Sequence, residues 1–343
     1  SAASDVYKRQ VLGYTGKPDS YYRAIINWVK QRYDLDVTKE MINFVPGIVP
    51  GIGMAMNSFT RPGDKVMIQP PVYHPFAWVT TRNERTLVTN PLKWENGMYR
   101  MDLDAFREQV KGCKLFILCN PHNPGGVVWT EDELRTVAEI CYEEKVLVFS
   151  DEIHADLTLP PYKHRPFATI SEKAKMNSVT FMSPSKAFNM PGLAASHAII
   201  FNEDLRARFR KFMDAGELDM GHVFAFLSVE AAYTHGTEWL DQCLAYIQGN
   251  IDYVDNFLKT HAPRIKAIRP QASYLVWLDC RELGLNQEAL NDFFADKAHL
   301  ALNDGAMFGK EGTGYMRLNV ASPRSVIEQA MKQLAEAYQA MSF

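Results

Sequence analysis

The sequence predicts an α/β fold: a large unit on a mainly parallel sheet with helices on both faces, followed by a smaller α+β unit. Three observations predict it. Short, continuous apolar runs recur at 65–68, 115–119, 146–149 and 179–182, as expected of strands covered on both faces. Helical patterns separate these runs, which is how a parallel sheet is wound. Each run ends in polar or turn-forming residues, and open α/β sheets bind ligands beyond the carboxyl ends of their strands.

The elements follow in order. Pro46-Gly47-Ile48-Val49-Pro50-Gly51 leads into a helix over 52–59, whose N-terminus would aim the backbone N–H groups of Ile48 and Val49 at an anion. The run 65–68 opens into Pro70-Pro71-Val72-Tyr73-His74-Pro75, and 115–119 into Asn120-Pro121-His122-Asn123-Pro124-Gly125-Gly126. Thr130 and Glu133 form a capping box, starting a helix with Leu134, Val137, Ala138 and Cys141 at helical spacing. The run 146–149 is followed by Ser150-Asp151-Glu152-Ile153-His154, and 179–182 by Ser183-Pro184-Ser185-Lys186. A strand over 198–201 precedes a helix through 209–213. A long helix over 239–258 carries Leu240, Leu244, Ile247, Ile251 and Val254 on one face and links the two units. The C-terminal unit reads as strand 274–278, helix 287–297, strand 315–319 and helix 323–340. Ser322 is expected to cap that last helix, with Pro323 in its first turn.

Composition sets limits. A chain of 343 residues, 47% hydrophobic and 22% charged, is expected to form two packed domains, here 13–250 and 251–343. The net charge of −3 argues against a general nucleic-acid or membrane surface. Five scattered cysteines show no CxxC pair and no metal-ligand spacing, so reduced thiols in the cytoplasm are expected. Residues 1–12 are polar at their start, and they are expected to be a foreign leader or the remnant of a longer N-terminal segment.

Lysine is rarely buried unless it is paired or chemically used, and Lys186 lies where a buried strand runs into a loop. Ser183 and Ser185 place two hydroxyls beside it, suited to a phosphate. Taken alone, the tetrapeptide reads as a solvated lysine with a serine cap. The other strand ends change that, because they offer Tyr73, Asn123 and Asp151 to the same crevice.

Those residues resemble the pyridoxal-phosphate (PLP) enzymes of the aminotransferase class I/II superfamily, fold type I. Three segments look like the MalY/PatB-type cystathionine β-lyase branch: Gly13-Tyr14-Thr15-Gly16-Lys17-Pro18, Pro71-Val72-Tyr73-His74-Pro75-Phe76 and Ser150-Asp151-Glu152-Ile153-His154-Ala155-Asp156-Leu157. The resemblance implies that Lys186 bonds PLP and takes the substrate's Cα proton. It implies that Asp151 pairs with the pyridine nitrogen, Asn123 donates to the phenolic oxygen and Tyr73 stacks on the ring. Bland alternatives stand beside these roles: a helix cap for Asp151, turn chemistry for Asn123, a core position for Tyr73. Ser183, Ser185, Ile48 and Val49 would hold the phosphate, with Tyr14 reaching it from a second subunit of a homodimer.

His154 stands where aminotransferases carry a tyrosine, and Ala194 where they often carry a phosphate-binding arginine; both departures favour the lyase branch. Arg317 matches the arginine that grips the substrate carboxylate. The implied reaction is β-cleavage of cystathionine or a related cysteine S-conjugate, a small amino-acid substrate, with no metal. An aminotransferase is the runner-up, and a PLP-binding regulatory protein without turnover is the alternative from another class.

Overall fold

The computed structural model describes residues 13–341, so the expectation for residues 1–12 lies outside the described residues. The larger sheet holds seven strands: β1 (Ile42–Val45), β2 (Lys65–Ile68), β3 (Thr86–Thr89), β6 (Cys113–Cys119), β7 (Leu147–Asp151), β8 (Ser178–Met182) and β9 (Ser196–Ile199). A two-stranded ribbon, β4 (Lys93–Glu95) with β5 (Met98–Arg100), lies between β3 and β6 in the chain. The spatial order is β1-β9-β8-β7-β6-β2-β3. From β3 to β8 every pair is parallel, whereas β9 runs antiparallel to both β8 and β1. Between β8 and β9 the only helical element is the single turn Pro191–Leu193. Without a crossover helix the chain returns beside β8 in the opposite direction.

Period-two alternation explains the apolar runs. On β6, Leu115 and Ile117 face one side, where the helix Ile48–Phe59 supplies Ile52, Ala55 and Met56 and the helix Glu203–Ala215 supplies Phe209 and Met213. Phe116 and Leu118 face the other, against Leu134, Val137 and Cys141 of the helix Glu131–Glu143. A strand buried on both faces leaves polar chemistry to its ends, which is where the site is built.

The second sheet is antiparallel, in the order β10-β11-β13-β12, from β10 (Lys266–Ile268), β11 (Leu275–Asp279), β12 (Asn303–Asp304) and β13 (Tyr315–Asn319). The helix Thr237–His261 buries Leu240, Leu244, Ile247, Ile251, Val254 and Leu258 on one face. The boundary at 250/251 falls inside this helix, and the division into 13–250 and 251–343 stands as a proposal.

Three local expectations are corrected. The helix expected over 52–59 begins at Ile48, because Pro50 sits in the first turn, where its missing N–H is not needed. The helix expected over 287–297 is α-helical only for Gln287–Asp292 and then widens into a π turn at Phe293–Lys297, which buries both Phe293 and Phe294. The last helix runs Arg324–Gln339, and Pro323, in extended conformation, occupies its N-cap. Ser322 makes no capping hydrogen bond; its carbonyl accepts from Asn250 Nδ2 at 2.9 Å instead.

The capping box is present in full. Thr130 Oγ1 accepts from Glu133 N–H at 3.2 Å, and Glu133 Oε2 accepts from Thr130 N–H at 2.9 Å. Thr130→Ala is expected to cost about 1 kcal/mol, read as a lower urea midpoint with an unchanged slope. A variant as stable as the parent would show that the cap contributes nothing to this helix.

Candidate active site

Four strand ends open into one cavity of about 480 Å³. Tyr73 comes from the loop after β2, Asn123 from that after β6, Asp151 and His154 from the end of β7, and Ser185 and Lys186 from the loop after β8. Backbone hydrogen bonds fix the ends in register: Asn120 N–H donates to Asp151 O and Glu152 N–H to Phe181 O, both at 2.9 Å. Ile48 and Val49 close the cavity at the start of their helix, and Arg317 enters from β13. The first N–H groups of a helix have no partner within it, and Gly47 ahead of it offers no capping side chain.

Asp151 is buried, and burial pushes its carboxyl up to about 7. Oδ1 accepts from Ile153 N–H at 3.1 Å; Oδ2 has no hydrogen-bond partner among the described residues. The half-buried amine of Lys186 likewise makes no hydrogen bond or ion pair among them. His154 is buried with Nδ1 unpartnered, and burial, reinforced by the nearby Lys186 and Arg317 charges, drives it down to about 3, so the ring is neutral.

Arg317 is held from two sides. Nη1 donates to Asn123 Oδ1 at 2.9 Å and Nη2 to Asn303 Oδ1 at 2.7 Å, with the guanidinium 4.6 Å over the Phe308 ring. Burial lowers its pKa to about 10, which still leaves it cationic at neutral pH. The bond from Arg317 settles the orientation of Asn123: its oxygen is occupied and its NH₂ is free to donate into the cavity.

The cavity therefore gathers Lys186, Asp151, Asn123, Tyr73, His154, Ser185, Ile48, Val49 and Arg317. Two expected residues are not among its lining. The Ser183 hydroxyl donates to Ala195 O at 2.7 Å and accepts from Ser185 N–H at 3.1 Å, so it shapes the loop rather than presenting a donor. Tyr14 is 98% exposed and lines a separate groove with Lys17 and residues 219–224.

Other lining residues were missed. Cys119 is the last residue of β6 and accepts from Asn123 N–H at 3.3 Å; its place at a strand end was a usable signal. Asn303 and Tyr274 come from the second sheet and its approach, and nothing in their local sequence marks them. Ala194 also lines the cavity, in a left-handed conformation (φ 47°), and offers no cation.

The sequence matches the family described as aminotransferase class I and II over residues 5–334. It is 38% identical over 329 residues to cystathionine beta-lyase PatB of Bacillus subtilis (strain 168), covering 95% of this chain and 85% of that protein. The structure resembles that of cystalysin from Treponema denticola, which contains a pyridoxal 5'-phosphate cofactor, with a TM-score of 0.96, 35% identity and coverage of 99% and 86%. It also resembles the PLP-bound C-S lyase from Staphylococcus hominis in complex with the inhibitor L-cycloserine, with a TM-score of 0.90, 33% identity and coverage of 98% and 83%.

The raised carboxyl has a measurable consequence. Its folded pKa of about 7 lies above the ordinary 3.8, so from about pH 4 to about pH 7 the folded protein keeps a proton that the unfolded chain releases. In protein freed of small molecules, this group's contribution therefore falls as pH rises through that window. Asp151→Asn removes it, so the stability of wild type relative to the variant should decline by on the order of a few kcal/mol. Urea unfolding of both at several pH values reads the difference, and parallel profiles would contradict the buried-carboxyl assignment.

Proposed function

The chain belongs to the aminotransferase class I and II family, in its MalY/PatB-type branch, and from that membership we propose a PLP-dependent C–S β-lyase. Its substrate would be cystathionine or another cysteine S-conjugate. The balanced reaction consumes water and gives a thiol, pyruvate and ammonium. What carries the proposal is the meeting of Lys186, Asp151 and Asn123 in one cavity, in a chain this similar to a cystathionine β-lyase.

The residues present fit the cofactor. A buried carboxylate with one free oxygen suits a protonated pyridine nitrogen, which would stabilise its ionised form. The free amide NH₂ of Asn123 suits a phenolate oxygen. The helix start at Ile48 and Val49, with the Ser185 hydroxyl, suits a phosphate. When bound, PLP supplies the electron sink that lets a Cα proton be lost.

Lys186 is the base for that proton, being the unpaired amine in the cavity. Arg317 would orient the substrate through its carboxylate, since Asn123 and Asn303 hold the guanidinium while leaving other N–H groups free. The sulfur leaves Cβ with the bonding electron pair. Tyr73 would flank the ring, and neutral His154 adds no charge beside the amine. The absence of a cation at Ala194 fits a lyase better than a transaminase.

The protein would act as a homodimer in the cytoplasm. The exposed Tyr14 and the groove it shares with exposed Met220 and Phe224 fit a subunit contact that brings Tyr14 to the partner's phosphate. The five free thiols fit a reducing compartment. Cleaving cystathionine would release homocysteine and place the reaction in methionine biosynthesis.

Incubation of the PLP-loaded protein with cystathionine should release pyruvate with no keto acid added, and Lys186→Ala should lose at least about a thousandfold in rate. Strict dependence on a keto-acid acceptor would instead identify an aminotransferase. A protein that binds PLP but releases no product from either assay would be a binding module.

A further inference from the structure

Next to Asp151 lies a second buried carboxylate that the chemistry above gives no work. Glu152 is 1% exposed. Its Oε1 accepts from the Ser150 hydroxyl and from Phe167 N–H, both at 2.8 Å. Its Oε2 accepts from His164 Nε2 at 2.7 Å, and that ring is buried too. Three donors on one carboxylate, away from solvent, make a satisfied polar network of the kind that fixes one geometry.

The network is tied to the strand ends. Glu152 N–H donates to Phe181 O at the end of β8. Arg165, next to His164, accepts through its carbonyl from Asn120 Nδ2 at 3.2 Å, and Asn120 N–H donates to Asp151 O. Asp151 and Glu152 are adjacent in the chain, yet Asp151 lines the cavity and Glu152 does not. The His164 loop thus holds one negative charge away from the site while the neighbouring one faces into it.

A bare carboxylate beside Asp151 would work against it. Like charges favour the protonated form of one another, and Glu152 already adds to what burial does to Asp151. An Asp151 that keeps a proton cannot pair as an anion with a pyridinium.

We propose that Glu152 and His164 are positioning residues: the His164 hydrogen bond turns the Glu152 charge away, so that Asp151 stays ionised opposite the ring nitrogen. This rests on the reading of Asp151 as the partner of that nitrogen. Neither residue lines the cavity. A merely structural pair would hold the fold and leave the proton on the ring nitrogen where it was.

The test uses holoenzyme loaded with PLP labelled with ¹⁵N in the ring, read by NMR at one fixed pH, with circular dichroism confirming each fold. Asp151→Asn should move the resonance to the unprotonated position; if it does not, the reading of Asp151 itself is wrong. His164→Leu should move it part of the way, and adding Glu152→Gln to that variant should bring it back, because the bare charge is gone. Should the leucine variant not fold, His164→Asn, which shortens the donor out of reach but keeps the position polar, is read in the same way. If Asp151→Asn moves the resonance while the His164 variant leaves it in place, or the double variant fails to restore it, the proposal is overturned and the Asp151 reading stands.

Discussion

A carboxylate taken out of water needs a cation, and Asp151 is a buried carboxylate with one oxygen left open. It lies at the last position of β7, flanked on one side by the cavity and on the other by the Glu152 network. Burial, the largest influence on it, pushes its carboxyl up to about 7. Such a group is costly in an apolar interior, so a cationic partner arriving in the cavity would be bound tightly. A protonated heteroaromatic nitrogen meets that need without bringing a flexible chain into the site. Lys186, whose amine also has no partner among the described residues, lies one strand over, in the loop after β8.

The sheet explains why these groups meet. β2, β6, β7 and β8 are parallel neighbours with both faces covered, so the four chain exits lie side by side at one edge. Each exit adds a different chemistry: aromatic, amide, carboxylate, amine. The antiparallel return into β9 folds Ala194 and Ser196 against the same cavity. The second sheet completes the wall through Arg317, whose bond to Asn123 joins the two sheets while its bond to Asn303 stays within the second.

Much of this was legible in the sequence because parallel strands write themselves as unbroken apolar runs. The strand expected at 65–68 has the observed bounds, and so does 315–319; the runs 115–119 and 179–182 end where β6 and β8 end, and 146–149 stops two residues short of the end of β7, too little to move Asp151 from a strand end. What stayed hidden depends on long-range contact. Asn303 is an ordinary loop residue until β12 lies beside β13 and puts it opposite Arg317. His164 lies in a proline-rich loop and acquires its part only by folding back onto Glu152. Ser183 shows the reverse: its place in the motif suggested a phosphate donor, but its hydroxyl is used within its own loop. Local spacing cannot reveal which of two neighbouring serines is already occupied.

The central claim is that the Lys186 amine carries PLP covalently. Borohydride reduction of the purified holoprotein, proteolysis and mass spectrometry of the peptides test it directly. The account predicts the phosphopyridoxyl mass on the peptide containing Lys186 and on no other. Its absence, or its appearance on a different lysine, would contradict the assignment of the cavity.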